Sequence, residues 1–251
     1  MIARFKDLCL DAADPRLLGA FWAEVLGGRL VDTGDGDARV DAAPPASPAE
    51  SIWVNRVPEP RTGRTRVRLD LRLAEAGPER LRAAGARLVR EPDSEIDWWV
   101  LADPEGNLFA ALPARADTRP GPCHLVVDAA DPAAQAHWWA RALGGRADLR
   151  PADSAHPAGS GVPGAVPATG VASVVDAAGF PWQRWIFEPA PERRTVKNRM
   201  HWDVTLADPT PAPLIRHGAT LLRERTSDLP WWIMADPEGN EFCAFPPDSP
   251  A

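Results

Sequence analysis

Cysteine is scarce in this chain of 251 residues: Cys9, Cys123 and Cys243 make an odd number with no CxxC pair. A disulfide-stapled scaffold is therefore excluded, and a reducing, cytoplasmic setting is expected. Long hydrophobic runs are missing too. The opening Met1-Ile-Ala-Arg-Phe-Lys has no apolar signal core, and no apolar run approaches the ~18 residues of a membrane span. Positive charge is in deficit, with 28 Lys and Arg against 35 Asp and Glu, a net charge of −7. Arg193-Arg194 with Lys197 is the densest basic stretch, and it reads as a solvated loop. Neither a nucleic acid nor an anionic membrane is expected as a partner.

What the chain does have, it has twice. Trp98-Trp-Val-Leu-Ala-Asp-Pro-Glu-Gly-Asn-Leu-Phe-Ala110 returns 133 residues later as Trp231-Trp-Ile-Met-Ala-Asp-Pro-Glu-Gly-Asn-Glu-Phe-Cys243. Proline pre-sets φ for a turn and glycine accepts positive φ, so each copy reads as a β-hairpin around Asp-Pro-Glu-Gly-Asn. The rest of the chain repeats as well. Phe5–Asp11 alternates as a strand; Asp14-Pro15 supplies an N-cap and a first-turn proline; Leu18, Phe21, Trp22, Val25 and Leu26 recur at helical spacing up to Gly27-Gly28. His124–Asp128, Asp131-Pro132, a helix with Trp138, Trp139 and Leu143, and Gly144-Gly145 follow the same order.

Strands at Ile52–Asn55 and Trp185–Glu188, then at Arg66–Leu71 and Arg199–Val204, precede helices near 78–85 and 211–218 and the two hairpins. Each copy is thus strand, helix, strands, twice over. Copy two carries a Pro/Gly-rich insertion at about 150–180, which reads as a lid over a binding site. A Pro-rich linker joins the copies.

This order, with "DAADP…FW…LGG" and "DPEGN.F", resembles the vicinal-oxygen-chelate superfamily of glyoxalase- and bleomycin-resistance-like proteins, in its tandem glyoxalase-like form. The resemblance implies an α+β protein of two tandem domains, residues 1–113 and 122–251 joined by 114–121, each of paired βαβββ modules forming a cup-shaped sheet. Each copy is expected to close its own eight-stranded sheet, with exchange of strands between copies as the alternative. The superfamily's metal-ligand positions fall in copy two on His124, Glu188, His201 and Cys243. This mixture of imidazole, carboxylate and thiolate suits Zn, Ni or Fe better than Mg²⁺ or Ca²⁺. Cys243 and Glu188 are the candidate catalytic groups. In copy one the same positions hold Asp7, Asn55, Arg68 and Ala110, and no metal is expected there.

Eleven tryptophans divide between core and cup. Trp22, Trp138 and Trp139 are expected in the core, and Trp185, Trp202, Trp231 and Trp232 are candidate walls for a small organic ligand. Two functions follow from the resemblance. One is a metal-dependent lyase, isomerase or oxygenase acting in the C-terminal cup. The other is a metal-free binder that sequesters an aromatic natural product or drug. Either would be a monomer or homodimer.

Overall fold

The computed structural model describes residues 1–44, 46–149, 170–190 and 196–247. The insertion expected as a lid lies largely outside them. Four βαβββ modules follow one another. The first comprises β1 (Ala3–Ala12), α1 (Pro15–Leu26), β2 (Arg29–Asp32), β3 (Ala38–Asp41) and β4 (Ile52–Arg56). The second comprises β5 (Val67–Arg72), α2 (Glu79–Ala83), β6 (Arg87–Arg90), β7 (Trp99–Ala102) and β8 (Leu108–Leu112). The third comprises β9 (Gly121–Ala129), α3 (Pro132–Leu143), β10 (Arg146–Asp148), β11 (Ala172–Val175) and β12 (Arg184–Pro189). The fourth comprises β13 (Met200–Leu206), α4 (Ala212–Arg216), β14 (Thr220–Arg223), β15 (Trp232–Ala235) and β16 (Glu241–Phe245). Among the described residues no helix is long and apolar enough to cross a membrane.

The modules pair across the copies. One eight-stranded sheet runs β14-β15-β16-β13-β1-β4-β3-β2 and the other β10-β11-β12-β9-β5-β8-β7-β6. The first sheet joins modules one and four, and the second joins modules two and three. The expectation that each copy closes its own sheet is corrected: the exchanged arrangement is the one observed. A sequence repeat shows which modules are alike. It cannot show which first strands pair, because equivalent strands offer the same backbone donors and acceptors along the same edge.

The helix starts follow from local chemistry. Asp14 accepts from the backbone N–H groups of Arg16 and Leu17, Pro15 opens the first turn, and Gly27 closes α1 at φ 61°. Asp131, Pro132 and Gly144 do the same for α3. Both long helices pack on both sheets. Trp22 of α1 reaches Phe109 on β8, 5.6 Å between ring centroids. Trp139 of α3 lies 4.8 Å from Trp185, 5.3 Å from Trp202 and 5.2 Å from Phe242. A single apolar core therefore runs through both sheets.

The two repeated motifs also touch. Glu105 of the first DPEGN turn accepts from the N–H groups of Ala13 and Asp14 at 3.0 and 2.8 Å, and Glu238 of the second accepts from Ala130 and Asp131 at 2.7 Å each. Each turn belongs to one sheet and the helix start it holds to the other, so these carboxylates clamp the sheets together. Charge-assisted bonds of this kind are stronger than neutral ones. Glu238→Ala should cost about 1–2 kcal/mol and lower the melting temperature by about 2–8 °C. Thermal denaturation followed by circular dichroism checks this, and an unchanged midpoint would remove the clamp from the account.

Candidate functional site

Strand alternation sends every second side chain to the helix-free face of each sheet. In the first sheet Leu8, Leu10, Trp202, Val204, Phe242 and Ala244 belong to the core. Their neighbours Asp7, Cys9, His201, Asp203 and Cys243 meet on the opposite, cup-forming face. Register fixes the meeting: Asp7 is opposite Asp203, Cys9 opposite His201, and Asp203 opposite Cys243. A bulge between Phe5 and Asp7 turns Lys6 onto the same face as Asp7. Lys6 Nζ donates to Asp7 Oδ2 at 2.6 Å and lies 4.7 Å over the Phe245 ring. Trp53 Nε1 donates to the same carboxylate oxygen at 3.2 Å.

Cys9, His201 and Asp203 each offer one ligand atom within 4.8 Å of the others. They are 4, 7 and 4% exposed. Cys9 Sγ donates to Asp203 Oδ2 at 3.5 Å. Asp7 Oδ1, Asp203 Oδ1 and His201 Nδ1 have no hydrogen-bond partner among the described residues. Burial, reinforced by the facing Asp7, pushes the Asp203 carboxyl well above its ordinary range. Ionised, the two carboxylates are both acceptors; with a proton on Asp203 the pair closes a hydrogen bond. Burial first, and Asp203 second, also raise the Cys9 and Cys243 thiols. Burial lowers His201 to about 4, outweighing the opposing charge of Asp11, so its imidazole is neutral near pH 7. Such a cluster of buried acids and thiols around a neutral imidazole fits a borderline divalent cation: its donors suit Zn, Ni or Fe, and a cation would satisfy the orphaned oxygens.

The second sheet's face is organised by an internal cation. Arg68 donates to Glu188 at 3.1 Å and to Asp70 at 3.0 Å, with all three side chains at most 4% exposed. Arg64 pairs with Asp128 nearby. His124 sits on β9 opposite Asp70. Beside them Ile96, Trp98, Val100, Ala110, Leu112 and Cys123 form a separate apolar cluster.

The four expected metal ligands are accordingly split, which corrects the set read from the sequence. His124 and Glu188 lie in the second sheet, and His201 and Cys243 lie in the first. Because the modules pair across copies, Asp7 joins His201, and Glu188 joins Arg68. Glu188, expected as a catalytic group, is an ion-pair partner of Arg68. The tryptophans divide unevenly as well. Trp185, Trp202 and Trp232 are 0, 0 and 7% exposed within the main core, so they wall no cup. Trp231 stacks on Phe245 at 5.0 Å and stays partly exposed on the first sheet's face, and its counterpart Trp98 is 3% exposed. Cys9 and Asp203 were missed in the sequence. The signal was present, since each stands two positions beyond a recognised site position and hence on the same strand face.

The glyoxalase-like domain family matches the chain twice, over residues 7–112 and 124–245. The chain belongs to this family, within the vicinal-oxygen-chelate superfamily. No curated protein matches the sequence. Among solved structures, two variants of glyoxalase I from Zea mays are similar at 15% identity. One covers 96% of this chain and 92% of its own with a TM-score of 0.66, the other 98% and 94% with 0.64. A Bacillus subtilis protein is similar at 12% identity, 99% and 86% coverage and a TM-score of 0.62. At these identities the likeness concerns the fold.

Proposed function

We propose that the protein binds a small organic molecule in the cup of the first sheet, over a divalent metal held by Cys9, His201 and Asp203 with Cys243 alongside. The observation that carries this reading is the buried cluster itself: three ligand atoms within 4.8 Å of one another, and carboxylate oxygens left without donors among the described residues. When bound, the metal would supply Lewis-acid polarisation of a substrate's paired oxygens. The chain's own groups do the rest. Lys6 and Trp53 hold Asp7 by Oδ2, which fixes its carboxylate beside Asp203. Trp53, Trp231 and Phe245 offer partly exposed ring faces for a planar ligand. Membership of the glyoxalase-like domain family is compatible with this reading and names no substrate.

Protein purified without added metal and then incubated with Zn²⁺, Ni²⁺ or Fe²⁺ should retain about one equivalent after desalting. At about 100 Kd of free metal its stability should rise by about 2.7 kcal/mol, read as a higher melting temperature. Failure to retain any of the three would end the metal-dependent reading. A metal-free binder using the same aromatic surfaces would replace it.

A further inference from the structure

A second concavity lies where the start of β1 meets module three; Cys9, His201 and Asp203 are not among its lining residues. It is a cleft of about 730 Å³, within the range of roughly 300–1,000 Å³ usual for small-ligand sites. Ala49, Phe180, Leu206 and Pro247 supply apolar walls, and Arg4 and Lys6 line the same cleft. The wall from module three is pinned. Phe5 N–H donates to Ala178 O at 2.8 Å, and the Phe5 and Phe180 rings meet edge to face at 5.3 Å. Gly179, at φ +80°, packs so tightly that a Cβ would stand 2.3 Å from Phe5 O. The cleft is therefore preformed, with little ordering left to oppose a ligand.

Its charges are not equivalent. Glu50, also on the lining, has Arg119 as its ion-pair partner at 3.7 Å, and Lys6 is joined to Asp7. Arg4 is exposed and forms no ion pair among the described residues. An apolar slot with one uncommitted guanidinium selects a ligand by two features, a flat apolar body and an anionic head. The fork of a guanidinium matches a carboxylate or sulfonate in two parallel hydrogen bonds.

We infer that this cleft is a binding site for a small amphipathic organic anion, with Arg4 as its anchoring cation. The site uses neither Cys9, His201 nor Asp203, so it stands independently of the metal reading.

The probe is 8-anilinonaphthalene-1-sulfonate titrated into the full chain by fluorescence, with uncharged N-phenyl-1-naphthylamine as its neutral analogue. The sulfonate should saturate at one site and bind more tightly than the neutral probe. Arg4→Glu should weaken it at least about tenfold, the loss typical of a charge-assisted pair, and Arg4→Lys should preserve most of the affinity. Ala49→Trp, which fills the slot from a partly buried position, should weaken both probes. Equal affinity of the wild type and Arg4→Glu for the sulfonate, equal binding of the two probes to the wild type, or indifference to Ala49→Trp would each overturn the assignment. Circular dichroism of each variant ensures that binding is compared between folded proteins.

Discussion

His201→Ala protein should leave the same metal incubation with almost nothing bound. A structural zinc site's ~10–16 kcal/mol is shared among about four ligands, so losing one imidazole should weaken binding at least about 100-fold. The effect should be this large because His201 is the one nitrogen donor in the cluster, and its lowered affinity for protons keeps it ready to bind a cation. Cys9→Ala and Asp203→Asn should weaken retention as well. His124→Ala is the informative control. On the sequence-derived ligand set it would lose metal as His201→Ala does; in the folded protein it lies in the other sheet, and its metal content should match the wild type. Elemental analysis after desalting decides between these outcomes. Loss of metal in both histidine variants would return the site to the sequence-derived set.

Arg68→Ala should be the most destabilising single change in the second sheet. Arg68 is 3% exposed and stands against Asp70 and Glu188, themselves 1 and 3% exposed. Those two carboxylates, with Asp128, hold its proton even more firmly than usual despite burial. Removing it leaves buried negative charge uncompensated, a loss of about 3–5 kcal/mol, or about 6–20 °C in melting temperature for a chain of this size. Removing charge from both sides should be milder than removing it from one. Arg68→Met with Glu188→Met should therefore recover part of the loss of Arg68→Met alone. Equal stability of Arg68→Ala and wild type in chemical denaturation would mean that the cluster is solvated and not a built-in counter-ion.

The fold was legible because its signals are local. The Asp-Pro helix starts, the Gly-Gly stops and the Asp-Pro-Glu-Gly-Asn turns each follow from the conformational limits of a few adjacent residues, and α1 and α3 lie where the spacing of Trp22 and Trp139 placed them. α2 and α4 are shorter than expected, five residues each. The pairing of modules was not legible. β1 pairs with β13 and β5 with β9 across 192 and 54 residues in such pairs as Cys9 with His201 and Asp70 with His124, and nothing in either strand announces its partner. The site inherited that ambiguity. His124, Glu188, His201 and Cys243 were individually well placed on cup-facing strand positions, yet each sheet received only two of them. The tryptophans failed for a different reason. Trp185 and Trp202 fall on the helix-packed face, where alternation puts them once Glu188 and His201 face the cup, and large aromatic rings suit both a core and a ligand wall.

The most direct test is anomalous diffraction from crystals of the full chain soaked in Zn²⁺. One peak bounded by Cys9, His201 and Asp203 is the predicted result, with none beside Arg68. A peak at His124 and Glu188, or no ordered zinc in the first sheet's cup, would contradict the account.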